Sequence, residues 1–287
     1  MASSIFALVA PLGTFLFAIA NITSITNLLA PQIGNLEHSV MASKPVILIT
    51  GANQGLGYYA TQQLAATGKY HVLVGSRDVQ KAFAAIESLA ADKTYEVDKR
   101  DLSALQINVS SDSSIDAAAK QVQEQFGHLD MLLNNAGIAM SPSDASKMSL
   151  RQFYQSHFDT NVFGAAAVTE AFLPLLRKSS GKRLAFTSTG LSSLAKAANG
   201  TQPADKWPVY RASKTALSMV MLNYVRILEP EGFVVAAAAP GHCATNLNNF
   251  SGKKDPRDGA KMLVKALLGS KDEVHGHVFS EKGKEPW

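Results

Sequence analysis

Two stretches of the chain could move a proton. Tyr210-Arg211-Ala212-Ser213-Lys214 sets a phenol and an amine four residues apart. On a helix that spacing puts both side chains on one face. An ammonium beside a phenol favours the phenolate, lowering a pKa that is about 10 in free tyrosine, so the pair can give or take a proton near neutral pH. Spacing alone is not specific, because Tyr95-Glu96-Val97-Asp98-Lys99 repeats it. That copy lies in a charged connection ahead of the third expected strand. Tyr210 follows the fifth strand, on the carboxyl side where α/β sheets bind ligands.

A second chemistry is phosphate binding. In Thr50-Gly51-Ala52-Asn53-Gln54-Gly55-Leu56-Gly57, the glycines permit a tight turn and close approach of the backbone to a pyrophosphate at a helix N-terminus. A purely structural turn would use glycine too, and the spacing is not G-x-G-x-x-G. Its position, directly behind an apolar run that opens an alternating β/α chain, favours the phosphate site. The next strand ends Val74-Gly75-Ser76-Arg77. An NAD site carries a carboxylate there for the ribose 2′-hydroxyl, whereas Arg77 offers a cationic fork for a 2′-phosphate. The bland alternative is a surface arginine paired with Asp78. The expected cofactor is NADP(H), with NAD(H) as the alternative. Asn134-Asn135-Ala136-Gly137 closes the fourth strand, where small residues let the backbone pass close to a ligand; an Asn-rich turn without a ligand would look the same.

These groups need elements to position them. Apolar strand-like runs at 46–50, 71–75, 105–109, 131–134, 183–188, 233–238 and 278–280 alternate with helical stretches at 57–66, 79–90, 114–126, 150–177, 210–228 and 256–268. The alternation predicts an α/β fold, a doubly wound, Rossmann-like parallel sheet with helices on both faces. The segment 189–208 is the longest irregular insertion, of a length that is usually functional or disordered. With 287 residues, 46% hydrophobic and 17% charged, the chain can bury a full core. The single Cys243 excludes an internal disulfide and suits a reducing, cytoplasmic setting. The 27 basic and 23 acidic residues are too balanced and dispersed for a nucleic-acid footprint. His242, His275 and His277 lack a third ligand at useful spacing, so no metal site is expected. A nucleophilic Cys243 would need an activating base or cation, and the sequence supplies none.

The first 36 residues contain no Lys, Arg, Asp or Glu. Within them, 5–22 is an uncharged apolar run at the short end of the ~17–25 residues that span a bilayer. Three readings stay open. It is a membrane anchor with the main domain in the cytosol, a cleaved signal peptide ending near Ala18-Ile19-Ala20, or a dispensable leader, since Met41-Ala42-Ser43 repeats Met1-Ala2-Ser3. The expected organisation is an apolar leader over 1–40 and one dinucleotide-binding domain over 41–287.

With these residues assembled, the chain from Pro45 onward resembles the short-chain dehydrogenases/reductases of the carbonyl-reductase-like kind. The matching motifs are T-G-x-x-x-G-x-G at 50–57, N-N-A-G at 134–137, T-N-V-x-G at 160–164, Ser188, Tyr-x-x-x-Lys at Tyr210 and Lys214, and Pro240-Gly241 followed by Thr245. The tail, from Phe279 through Pro286-Trp287, also resembles the family's C-termini. The resemblance implies Tyr210 as the general acid of a reduction or base of an oxidation. Lys214 would lower its pKa and bind the nicotinamide ribose. Ser188 would hold the substrate oxygen, and Asn161 would support a water-linked relay through Lys214. Taken singly, Ser188 and Asn161 would be a strand-end hydroxyl and a helix-interior amide with local bonds. The cofactor positions implied are Gly51, Gln54, Gly55, Leu56, Gly57, Arg77, Asn108, Asn135, Ala136, Gly137, Tyr210, Lys214, Cys243 and Thr245. Asn108 stands where the family usually has an aspartate. Gln54 stands where NADP-preferring members often have a basic residue, which leaves Arg77 to carry that preference. The long step from Ser188 to Tyr210 leaves monomer or oligomer open, and its Lys196, Asp205 and Trp207 either shape the substrate mouth or merely cover it.

The leading expectation is an NADP(H)-dependent oxidoreductase for a small ketone, aldehyde or alcohol. The alternatives are a cofactor-binding sensor or scaffold without turnover, and a dehydrogenase tethered through residues 5–22 for lipophilic substrates such as steroids, retinoids or polyketides.

Overall fold

In the computed structural model, Val46–Ile49 (β1) and His71–Ser76 (β2) are buried along their whole length, as central strands covered on both faces must be. The described residues are 44–140, 146–202 and 207–287. From β1 the chain runs outward through helix Gly55–Ala65 (α1), β2, helix Val79–Ala91 (α2) and Leu102–Gln106 (β3). It then returns through helix Asp112–Phe126 (α3) to the other side of β1 as Met131–Asn134 (β4). Arg183–Thr187 (β5), Val234–Ala238 (β6) and Val278–Ser280 (β7) extend the sheet in parallel. A two-residue antiparallel strand, Gly283–Lys284 (β8), ends the order β3-β2-β1-β4-β5-β6-β7-β8. The order reverses between β1 and β4, so a crevice opens at their carboxyl ends, where doubly wound sheets bind ligands.

Side chains alternate between the two faces with the strand period of two. Leu48, Leu73 and Leu132 join Phe172, Leu176, Leu217 and Met221 in one core. Ile47, Ile49, Val72 and Leu133 join Leu64, Leu89, Leu263 and Leu267 in the other. The first core packs α3, helix Gly164–Arg177 (α5) and helix Pro208–Leu228 (α7); the second packs α1, α2 and helix Pro256–Leu268 (α8). Residues 45–287 form one compact unit; the other, 1–44, lies outside the described residues except for Lys44. The anchor, signal-peptide and dispensable-leader readings of residues 1–40 therefore fall outside what is described. Among the described residues no helix is long and apolar enough to cross a membrane.

Three elements differ from expectation. β3 is Leu102–Gln106, not 105–109, because its partner β2 ends at Ser76 and the register pairs Ser76 with Gln106. Ile107 and Val109 are still buried, so the apolar alternation there reports burial beyond the last strand pair. The single helix expected over 150–177 is helix Leu150–Phe158 (α4), a π-helical turn Asp159–Phe163 and α5. The insertion after β5 carries, among its described residues, a 3-10 turn Gly190–Ser192 and helix Leu194–Ala198 (α6); Asp205 lies outside the described residues.

Candidate active site

The turn from β1 to α1 has Gly51 at φ +64° and Gly55 at φ +60°, a left-handed backbone that strains any L side chain. A Cβ on Gly57 would stand 2.5 Å from Asn135 Nδ2 and 2.6 Å from the Gly51 carbonyl oxygen. That closeness lets the end of β4 clasp the turn. Asn135 Nδ2 donates to the carbonyls of Thr50 (2.9 Å) and Gly51 (3.2 Å). Thr50 Oγ1 accepts the N–H groups of Asn135 and Ala136, both at 3.0 Å. Thr187 Oγ1, from β5, donates to Asn135 Oδ1 at 3.2 Å. Asn135 thus binds three strand ends together. Gln54, the N-cap of α1, makes no side-chain cap bond, so the first-turn N–H groups stand ready for an anion.

Arg77 projects beyond β2, exposed and without an ion pair among the described residues, while Asp78 caps α2 by accepting from Gln80 N at 3.0 Å. The pairing with Asp78 that would make Arg77 an ordinary surface residue does not form. Asn108, two residues past β3, spends its Oδ1 on Ser110 N–H (3.2 Å) in a local turn. After β6 the chain folds over the glycine turn. Thr245 lies against Gly55, and Asn246 Nδ2 donates to Gln54 Oε1 at 3.4 Å. Cys243 and Leu56 meet at Gly259 of α8, where a Cβ would be 2.3 Å from the sulfur and 2.9 Å from Leu56 Cδ2. Burial pushes the Cys243 thiol up, the wrong direction for a nucleophile. Among the described residues no three His, Cys, Asp or Glu side chains are grouped to hold a metal ion.

Pro208 at the N-terminus of α7 presets its first turn, and Tyr210 and Lys214 follow on that helix. Lys214 is buried, and Nζ donates to the Thr187 carbonyl at 2.8 Å. Gly137 brings it to Asn161: a Cβ at 137 would be 3.1 Å from Asn161 Oδ1 and 3.4 Å from Lys214 Nζ. Asn161, in the π turn, is fully buried and latches Ile138 twice, accepting from its N–H at 2.8 Å and donating to its carbonyl at 2.9 Å. Its Nδ2 also donates to Ser213 Oγ at 3.0 Å, and Ser213 donates to the Tyr210 carbonyl at 2.7 Å. Ser188 follows Thr187 directly. Its Oγ donates to Ser192 Oγ at 3.4 Å and lies 3.5 Å from Ser218 Oγ, which donates to the Lys214 carbonyl at 3.0 Å. Asn161, Ser188, Tyr210 and Lys214 therefore converge on the carboxyl ends of β4 and β5. Tyr95 and Lys99 share no helix; Lys99 opens a 3-10 turn and pairs with Glu87.

The electrostatics differ from the simple expectation. Burial pushes the Tyr210 phenol up to about 12 and the Lys214 ammonium down to about 8. Lys214 Nζ sits 5.9 Å from the Tyr210 ring centroid, so desolvation outweighs the attraction between cation and phenolate.

Sequence reasoning missed the residues that hold this set. His157, one turn before Asn161, is fully buried; Nδ1 bonds the Phe153 carbonyl at 2.9 Å, and Nε2 accepts the Met140 N–H at 3.1 Å. The i, i+4 spacing of His157 and Asn161 was the available signal. Thr50 carried a signal as the first residue of the glycine-turn motif, though not for its bonds to Asn135 and Ala136; Thr187, at the end of an apolar run, gave none.

A doubly wound sheet, a glycine turn at its switch point and a Tyr–Lys pair beyond β5 together define a nucleotide-binding α/β enzyme class. Comparison with known proteins narrows this. The model of the short chain dehydrogenase family matches residues 45–256. Short-chain dehydrogenase anuI of Penicillium roqueforti is 42% identical over 247 residues, covering 84% of this chain and 95% of that protein. Carbonyl reductase [NADPH] 1 of Bos taurus is 27% identical, covering 86% and 99%. The NADPH-bound carbonyl reductase from chicken fatty liver superposes with a TM-score of 0.70 at 25% identity, covering 85% of this chain and 99% of that one. The chain belongs to the short-chain dehydrogenase/reductase family and is an oxidoreductase of carbonyl or alcohol groups.

Proposed function

We propose that this protein reduces a ketone or aldehyde to the alcohol with NADP(H), Tyr210 acting as the proton donor. The observation that carries the reading is that Lys214, on the helix that bears Tyr210, meets Asn161 at Gly137, beside the clasped glycine turn. The donor set fits the dinucleotide. An uncapped helix N-terminus at 55–57 suits its phosphates, and Arg77, exposed beyond β2, suits a 2′-phosphate. Gly51, Gln54, Gly55, Leu56 and Gly57 would line the phosphate side. Asn108, Asn135, Ala136, Gly137, Cys243 and Thr245 would border it, and Lys214 would hold the ribose. When bound, the cofactor supplies the hydride.

The chain's own residues handle the proton. Ser188, fixed through its N–H to the Ala238 carbonyl at 2.8 Å, would hold the carbonyl oxygen of the substrate. Tyr210, with its phenol held protonated by burial, would give its proton to the oxygen as negative charge develops there. Lys214 would then stabilise the phenolate, and Asn161, which latches Ile138 through both its amide atoms, would support a water-linked relay through Lys214. The catalytic set is thus Asn161, Ser188, Tyr210 and Lys214. The decisive test compares wild type with Tyr210→Phe across a carbonyl panel. The expected result is unchanged NADPH binding with turnover reduced by ~10²–10⁴-fold, the usual worth of a positioned general acid. Full turnover in the variant would exclude Tyr210 as the donor. Tight NADPH binding without oxidation by any carbonyl in the wild type would favour the sensor reading.

A further inference from the structure

The insertion leaves the site at Ser188 and returns to it at Tyr210, and its described residues run from 189 to 202 and from 207 to 209. Its inner edge is tied to α7. Thr215 Oγ1 donates to the Ser192 carbonyl at 2.8 Å, Arg211 Nε to the Leu191 carbonyl at 3.4 Å, and Arg211 Nη2 to Gln202 Oε1 at 3.2 Å. Its outer edge is tied to the C-terminal residues that follow β8. Lys196, on α6, forms an ion pair with Glu285. Ala195 N–H donates to the Trp287 carbonyl at 2.6 Å. Gly190 lies against the Glu285 carboxylate, which a Cβ there would approach to 3.3 Å. Glu285 is itself anchored to the sheet, donating its N–H to the Val278 carbonyl at 2.8 Å. The side chains are 9% (Glu285) and 32% (Lys196) exposed. Glu285 is the enclosed partner, so losing Lys196 would leave a desolvated carboxylate, whereas losing the Glu285 charge frees a lysine that already reaches water.

We propose that Lys196 and Glu285 are positioning residues that set the substrate preference: they clamp α6 to the end of the sheet and fix the wall against which the part of the substrate beyond its carbonyl rests. This rests on the reductase reading above. Burial raises the Glu285 carboxyl, but its bonds to Lys196 and Ser280 outweigh this and hold it below its ordinary value. The pair therefore stays charged through neutral pH. The inner ties to α7 do not involve the pair, so loosening the wall leaves Ser188 and Tyr210 in place. Small carbonyl compounds, which reach only the catalytic groups, should not sense the pair. Bulky aromatic or polycyclic ketones should.

The full-length wild type, E285Q and the charge-exchanged double variant K196E/E285K test this. Three quantities are measured: NADPH affinity by fluorescence, steady-state kinetics on a small aldehyde and a bulky aromatic ketone, and amide hydrogen exchange. In E285Q, exchange across 190–202 should rise about tenfold while β1 and β4 stay protected. KM for the bulky ketone should rise about tenfold with kcat, small-aldehyde KM and NADPH affinity within about twofold. The double variant should recover at least half of both effects. Unchanged exchange in E285Q overturns the proposal, as does an equal loss on both substrates or no recovery in the double variant. A wild type that turns over neither carbonyl refutes the reductase reading alone, and the exchange data still decide whether the clamp exists.

Discussion

Lys214 is held where an ammonium is expensive, and replacing it with methionine separates its cost to the fold from its use in the reaction. Burial lowers its pKa from 10.5 to about 8. At 1.36 kcal/mol per unit, the charged form costs the folded protein about 3 kcal/mol at neutral pH. Lys214→Met removes that cost and also removes the bond to the Thr187 carbonyl, worth about 1–2 kcal/mol. The net expectation is a gain of about 1–2 kcal/mol, which for a domain of this size raises Tm by roughly 2–8 °C. The pH dependence carries a definite sign. Below about pH 8 both folded and unfolded chains hold the proton and the cost is fully present. Between about 8 and 10.5 the unfolded chain keeps a proton that the folded chain has released, so wild-type stability rises with pH across that window. The advantage of Lys214→Met should therefore shrink from pH 7 to pH 10 in paired calorimetric scans, while its carbonyl reduction falls by ~10²-fold or more. A variant that melts below wild type at pH 7, or whose advantage is the same at pH 7 and pH 10, refutes the reasoning.

Two further substitutions probe the cofactor side. Arg77→Ala should raise the NADPH dissociation constant by about tenfold or more, the worth of one charged hydrogen bond, with NADH binding unchanged in parallel titrations. Gly57→Ala places a Cβ within 2.6 Å of the Gly51 carbonyl, a backbone contact that can be relieved only by moving the turn. It should cost about 1–3 kcal/mol in denaturant unfolding and abolish NADPH binding at micromolar concentrations.

Much of this architecture was legible because buried parallel strands write themselves as apolar runs. The runs at 131–134 and 278–280 coincide with β4 and β7. The glycine turn was legible because a left-handed backbone at Gly51 and Gly55 leaves the residue type almost no freedom. Other features depend on partners distant in sequence. The end of β3 is fixed by where β2 stops, which nothing in Leu105-Gln106-Ile107 records. The π turn around Asn161 keeps the same apolar and polar residues a straight helix would use. The sequence offered Asn135 as a cofactor contact but not its clasp on Thr50, Gly51 and Thr187, residues brought together only by strand order. The protonation of Tyr210 is likewise set by how much of the molecule closes over it.

The π turn has a consequence for how this family member can change. Its i to i+5 bond, from Gly164 N–H to the Asp159 carbonyl, accommodates one more residue than an α-turn would. The wide turn takes up that residue by winding less, so the helix beyond it keeps the phase of a straight helix one residue shorter; wound as α, the same extra residue would rotate everything downstream by about 100°. Val168, Phe172 and Leu176, fully buried on α5, would swing off the sheet together. The wide turn therefore seats Asn161 under Ile138 while the stripe behind it stays on the sheet, and loss of one residue there is expected to spare the stripe and to cost the two Asn161–Ile138 bonds.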